Sequence, residues 1–329
     1  MNKIDFLAIG DTVIDAFIRL KDAHVHCKID SDACELCLRF GDKVPFESVT
    51  VVPAVGNAAN AAVSASRLGL NSALLTNIGD DKDGEDCLAQ LKNDSVDTEF
   101  VKINKGIKTN YHYVLWYDVD RTILIKHEKY PYELGDIGEP KWIYFSSVSE
   151  SAYPFHNTVA DYLDAHPNIQ LAFQPGKNEI KLGTEKLARL YKHADIFFCN
   201  LEEAQTITGK ETKDVLELSK AISELGPKIV SISDGPNGAY IYSNGELWKI
   251  PLYPDIAPPV DRTGAGDAFA STITCALFLG KSPLEALTWG PINSMSVVQE
   301  IGAQKGLLTR EKLEEYLKNA PADYKATKI

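Results

Sequence analysis

The sequence predicts an α/β fold, with a mostly parallel central sheet, helices on both of its faces and a small separate β element. Three observations lead there. Short apolar runs alternate with helical patterns along most of the chain, the order expected of strands joined by covering helices. Two stretches, residues 16–52 and 109–128, break that order and read as paired strands. The 329 residues, 44% of them hydrophobic, suffice for one sizeable core with a small appendage.

The elements follow in chain order. The run from Phe6 to Asp15 reads as a buried strand followed by two acidic residues, Asp11 and Asp15. Ser72–Ile78, Trp142–Phe145, Gln170–Phe173, Ile196–Cys199 and Ile229–Ser233 read as further buried strands. The 109–128 stretch predicts a hairpin turning near Asp118-Val119-Asp120. Val215, Leu218, Ile222 and Leu225 keep helical spacing, and Gly226 closes that helix. Asn244-Gly245 turns a hairpin spanning Ala239–Ile250. Ala268–Leu279 reads as an apolar helix stopped by Gly280, with Pro283 just beyond. The whole of 1–329 is expected to be one domain.

Composition narrows the partners. Lys and Arg number 34 against 46 Asp and Glu, a formal charge of −12. Nucleic acid and anionic membranes are poor partners for such a chain. No run of about 18 apolar residues suggests a membrane span. The start lacks a signal-peptide pattern, so a cytoplasmic location is expected. Neither a P-loop nor a dinucleotide fingerprint is present.

The most chemical stretch is Asp261-Arg262-Thr263-Gly264-Ala265-Gly266-Asp267-Ala268-Phe269. It puts Gly264, Ala265 and Gly266 at a helix N-terminus, where free N–H groups and the dipole favour an anion. Asp267 in the first turn is placed to take a proton. An anion cradle beside a base suggests phosphoryl transfer to a hydroxyl. Local chemistry alone is equally satisfied by a helix start with a dipole-favoured acid.

This stretch resembles the second signature of the PfkB, or ribokinase-like, carbohydrate kinases, with Arg262 where Thr is usual. Other segments resemble that family in the same order. Asp15, and second Asp11, match the acid that holds substrate hydroxyls. Val55-Gly56-Asn57-Ala58-Ala59-Asn60 matches the first signature, with Val55 where a second Gly is usual. The resemblance makes Gly56, Asn57 and Asn60 substrate-binding candidates. Asn200 and Glu203 match an Asn-x-x-Glu motif that organises Mg²⁺ and phosphate. Ser233, Gly235 and Gly238 match a nucleotide loop, and Asn293 a helix flanking the adenine.

The resemblance implies a ribokinase-like fold and an ATP- and Mg²⁺-dependent kinase, with a monovalent cation among the expected cofactors. It makes 16–52 and 109–128 a β lid that closes over the substrate and can mediate a homodimer. The acceptor is a hydroxyl of a sugar, with a nucleoside nearly as well supported, a phosphosugar third, and a catalytically silent scaffold as the other class. Tyr111, Tyr113 and Leu115 would share one lid face and His112, Val114 and Trp116 the other; only one set can look into the site. A Tyr113 base-stacking platform would favour a nucleoside. Lys126 and Lys177 are weak candidates for a phosphate contact.

Three of six cysteines fall between Cys27 and Cys37. Cys27, Cys34, Cys37 and His26 (or His24) could supply four zinc ligands that staple the lid. Reduced cysteines packing as small hydrophobes are the other reading.

Overall fold

The computed structural model describes residues 3–21, 23–27, 34–117 and 120–329. Ten strands form the main sheet, in the order Thr327–Lys328, Glu246–Ile250, Ala239–Ser243, Ile229–Ser233, Ala194–Asn200, Gln170–Phe173, Trp142–Phe145, Phe6–Ile9, Ser72–Gly79, Val101–Asn104. The strands from Ile229–Ser233 to Val101–Asn104 pair in parallel; the hairpin at Asn244-Gly245 and the last strand add antiparallel pairs at one edge. Asn244 and Gly245 both hold positive φ, as a tight hairpin turn requires.

Alternation along the strands splits the core in two. Phe6, Ala8, Leu74, Tyr144, Ala172 and Phe198 pack under the helices Asn57–Arg67, Ala265–Phe278 and Pro283–Val297. Leu7, Ile9, Leu75, Phe145, Phe173 and Phe197 pack under Tyr153–Ala165 and Val215–Ser223 on the other face. The first layer is rich in small residues. Ala58, Ala59, Ala61 and Ala62 meet Ala268 and Ala270, all buried. Small side chains let the helices approach closely, and this brings the starts of Asn57–Arg67 and Ala265–Phe278 together.

A second sheet of four strands runs Phe46–Val55, Val13–Leu20, Tyr111–Tyr117, Asp120–Leu124. The turn expected near Asp118-Val119-Asp120 falls largely outside the described residues, but Tyr117 pairs with Asp120. Register sorts the faces. Asp15 lies beside His112, Phe17 beside Val114, and Trp116 opposite Arg121. That face turns inward: Val114 is fully buried and Phe17 approaches Gly302 in the main body. The outer face carries Val49, Val51, Tyr113 and Leu124, each about half exposed. Tyr113 therefore points away from the interior, and the inward set is His112, Val114 and Trp116.

His24–Cys27 and Cys34–Cys37 form a two-stranded ribbon. The Cys-x-x-Cys spacing is spent on an extended strand, where positions three apart fall on opposite faces. His26 pairs with Glu35, and Cys37 is an exposed free thiol. The side chains of Cys27 and Cys34 lie outside the described residues. Among the described residues no group of three or more His, Cys, Asp or Glu could hold a metal, so the zinc expectation finds no support. Nor is any described helix long and apolar enough to cross a membrane.

Candidate active site

The helix Ala265–Phe278 starts at Gly264, which holds φ +80°, and no side chain caps it. A Cβ built on Gly266 would meet nothing within 4 Å. Gly264, Gly266 and Asp267 line a cavity, so the helix start is open to an approaching anion.

Asp267 sits in this turn, 9% exposed. Its Oδ1 accepts from Asn57 Nδ2 at 2.8 Å and from Gln174 Nε2 at 3.3 Å, and its Oδ2 from Asn60 Nδ2 at 2.8 Å. Asn57 and Asn60 are three apart on one helix, so they reach the carboxylate from one face. Burial pushes the Asp267 carboxyl above the usual range, and the three amides pull it back in part. Gly56, just before that helix, holds φ +113°, and a Cβ there would lie 2.6 Å from the Asp11 carbonyl oxygen. Glycine is required at 56, whereas Val55 is an ordinary buried strand residue.

Asn200 and Glu203 face the same cavity, of about 240 Å³, which Ser233, Gly264, Gly266 and Asp267 also line. They form a reciprocal cap: Asn200 N–H donates to Glu203 Oε2, and Glu203 N–H to Asn200 Oδ1, both at 2.8 Å. Burial raises the Glu203 carboxyl, and the charge of Lys177 opposes that rise.

Next to it lies an apolar cleft of about 220 Å³, lined by Pro236, Leu252, Tyr253, Pro291, Met295 and Val298, with Gly235 at its edge. Arg262 borders both spaces. Gly238 serves the turn instead: a Cβ there would lie 2.1 Å from the Ile250 carbonyl oxygen. Asn293 is fully buried, donating to Thr272 Oγ1 at 2.8 Å and accepting from Leu308 N–H at 2.9 Å. It ties the helices together, and its neighbours Pro291, Ser294 and Met295 front the cleft.

The two N-terminal acids differ. Asp11 accepts from Tyr132 Oη at 2.7 Å and lies 3.0 Å from His127 Nδ1. Both of its oxygens are engaged. Asp15 is buried, its Oδ1 makes no hydrogen bond, and His112 Nδ1 stands 3.4 Å away. A buried carboxylate oxygen without a donor is an unmet demand.

Three residues escaped the sequence reading. Arg121, from the second sheet, lines the Asp267 cavity, 3.7 Å from Asp261 Oδ1. That oxygen already accepts from Thr263 N–H at 2.9 Å and Thr263 Oγ1 at 2.7 Å. Gln174 and Gln304 reach the Asp267 network from distant segments. Gln174 stood at a strand end beside Lys177, a position worth weighing; nothing local marked Arg121 or Gln304. Lys126 pairs with Glu128 at 2.6 Å and is exposed.

The chain matches the family model "pfkB family carbohydrate kinase" over residues 24–310. It is 27% identical over 283 residues to the ribokinase of Bacillus subtilis, spanning 84% of this chain and 92% of that one. It is 26% identical over 266 residues to an ATP-dependent 6-phosphofructokinase of Thermoanaerobacterium thermosaccharolyticum, spanning 75% and 80%. Its fold superposes on the nucleoside kinase of Methanocaldococcus jannaschii with a TM-score of 0.77, at 18% identity, covering 97% of this chain and 100% of that one. The chain belongs to the pfkB family of carbohydrate kinases.

Proposed function

We propose that this chain transfers the γ-phosphoryl group of ATP to a hydroxyl of a small sugar, with Asp267 as general base. The observation that carries the reading is the buried Asp267 carboxylate at an uncapped helix start that opens on a cavity. In this reading the hydroxyl loses its proton to Asp267 as its oxygen attacks the γ-phosphorus, and ADP leaves. The N–H groups of Ala265, Gly266 and Asp267 meet the charge on the transferring oxygens. Asp15, with its unfilled oxygen, holds a second hydroxyl, while Asp11 stays in its contacts with Tyr132 and His127.

The apolar cleft suits an adenine, and Arg262 stands where the base site meets the phosphate site. Asn200 and Glu203 suit a hydrated Mg²⁺: one Glu203 oxygen is used by the cap, and the pair faces the cavity. Bound with ATP, that ion neutralises phosphate charge. The second sheet acts as a lid that keeps water from competing for the phosphoryl group. Its half-exposed outer face suits a second copy of the chain, so a homodimer is proposed.

A phosphosugar acceptor is the second reading, favoured by Arg121 in the cavity. ADP release measured across free sugars, nucleosides and phosphosugars tests both. Turnover of free sugars alone supports the first reading. No ADP release above the background with any of them would sink the kinase assignment.

A further inference from the structure

Two hydrogen-bond chains, one buried and one partly buried, converge on Asp267. In one, Tyr144 Oη donates to Gln174 Oε1, and Gln174 Nε2 donates to Asp267 Oδ1. In the other, Gln304 Nε2 donates to Asn60 Oδ1 at 3.1 Å, and Asn60 Nδ2 donates to Asp267 Oδ2. Tyr144 is fully buried, and Asn60 and Gln304 nearly so. Gln304 Nε2 also donates to the Ala54 carbonyl oxygen at 2.7 Å. Ala54 holds φ +59°, a conformation that a residue with a Cβ adopts only when its surroundings enforce it.

A primary amide has a donor end and an acceptor end, and alone it can present either one. A donor fixed on its oxygen removes the choice, because the NH₂ end must then turn the other way. Tyr144 does this to Gln174, and Gln304 does it to Asn60. Both amides are thereby aimed at the carboxylate as donors, the arrangement that favours the ionised form.

We propose that Tyr144–Gln174 and Gln304–Asn60 are positioning pairs that hold Asp267 as an oriented anion. Oδ1 already takes two donors, from Asn57 and Gln174, and Oδ2 only one, from Asn60. Asn57 and Gln174 both line the cavity, so the Oδ1 side of the carboxylate faces it. The inference rests on the reading of Asp267 as the base.

Other ionisable groups surround the site. Glu203, Arg121 and Arg262 line the cavity, with Lys177 acting on Glu203. Tyr144 and Cys199 are held neutral by burial.

The test is the pH profile of kcat/KM for an accepted hydroxyl substrate, in the full chain, for wild type, Gln174→Met, Tyr144→Phe and Gln304→Met. Gln174→Met removes one donor to the carboxylate and should move the acid limb up by about one pH unit. Activity should return as the pH rises. Tyr144→Phe and Gln304→Met, which leave Gln174 and Asn60 in place but free to turn, should move it in the same direction by less. A loss that is uniform across pH, with the limb unmoved, would overturn the inference. If Gln174→Met or Gln304→Met fails to fold, Tyr144→Phe decides: an unmoved limb there overturns it. Failure of the underlying reading shows separately, as Asp267→Asn retaining activity within about tenfold of wild type.

Discussion

Gly264 lies against Ala303 with no room for a side chain: a Cβ on Gly264 would stand 2.3 Å from the Ala303 Cβ and 2.6 Å from its Cα. Gly264 also holds φ +80°. Close approach and a left-handed backbone thus demand glycine independently. Gly264→Ala should forfeit about 1–2 kcal/mol to the backbone alone, and displacing Ala303 adds to that. Ala303 adjoins Gln304, so the displacement reaches Asn60 and Asp267. Expected are a melting temperature lower by several degrees and a drop in kcat of a hundredfold or more. Gly266→Ala is the comparison, since its Cβ meets nothing. It should fold normally yet lose activity by filling the space proposed for the phosphoryl group. Thermal melts and steady-state kinetics on both variants check this, and equal stability of the two would contradict the packing argument.

Asp267→Asn should lower kcat by about 10²–10⁴, because the amide cannot take the proton. Folding will not be untouched, since three amide donors point at the carboxylate. The Asn NH₂ must confront at least one of them. The pH dependence of stability has a definite sign. Burial raises the Asp267 pKa in the folded state. Between the unfolded and the folded pKa, the native protein therefore binds more protons than the unfolded chain, and its stability falls as pH rises through that window. Asn has no such ionisation. The melting temperature of Asp267→Asn relative to wild type should therefore climb from about pH 4 upward and level off above the folded pKa. A difference independent of pH would mean that the carboxyl is not perturbed as described.

The legible and illegible parts of this site differ in their physics. The start of the helix at Gly264, its stop at Gly280 and the hairpin at Asn244-Gly245 were readable because each depends on a local backbone demand. The buried strands were readable from short apolar runs. The Asp267 donors Asn57 and Asn60 stood in a quoted motif, but their contact spans some two hundred residues and has no local signature. Gln304, Tyr144 and Arg121 matter only through such contacts. The Cys-x-x-Cys spacing suggested zinc ligands, but spacing alone does not say whether the backbone turns, and here it runs extended. Asn293 shows the converse: a polar residue near the apolar cleft can be consumed by helix packing.

Arg121 brings a charge from the second sheet to the Asp267 cavity. Its ion-pair partner Asp261 is already bonded through Thr263 and through Gly302 N–H at 2.9 Å. The guanidinium holds only this long contact, 3.7 Å, to an already bonded acid, which leaves it donors with which to answer a new anion. If it meets the transferring phosphoryl group, Arg121→Ala should lower kcat for a neutral sugar at least tenfold with little change in its KM. If it meets a phosphate on the acceptor, KM for the phosphosugar should rise at least tenfold while free sugars are spared. Steady-state kinetics on both substrate types separates the outcomes, and wild-type constants on both would remove Arg121 from the site.

The two faces of the second sheet make opposite predictions. Register puts Trp116 opposite Arg121, on the inward face, and Tyr113 opposite Leu124, on the outer one. Trp116→Ala should therefore change KM for the acceptor. Tyr113→Ala should leave it within about twofold, a shift worth under about 0.5 kcal/mol. The outer face should respond to charge. Val51 and Leu124 are each about half exposed there, beside Val49 and Tyr113. Contiguous apolar surface of this kind marks an interface more often than a bare exterior. In a two-fold dimer each residue on the patch is buried twice, once per subunit, so one substitution acts on both sides of the contact. Leu124→Glu would bring like charges together or strand them away from water. Sedimentation velocity should then show wild type as a dimer and Leu124→Glu as a monomer of unchanged thermal stability. Wild type sedimenting as a monomer at all concentrations would remove the dimer.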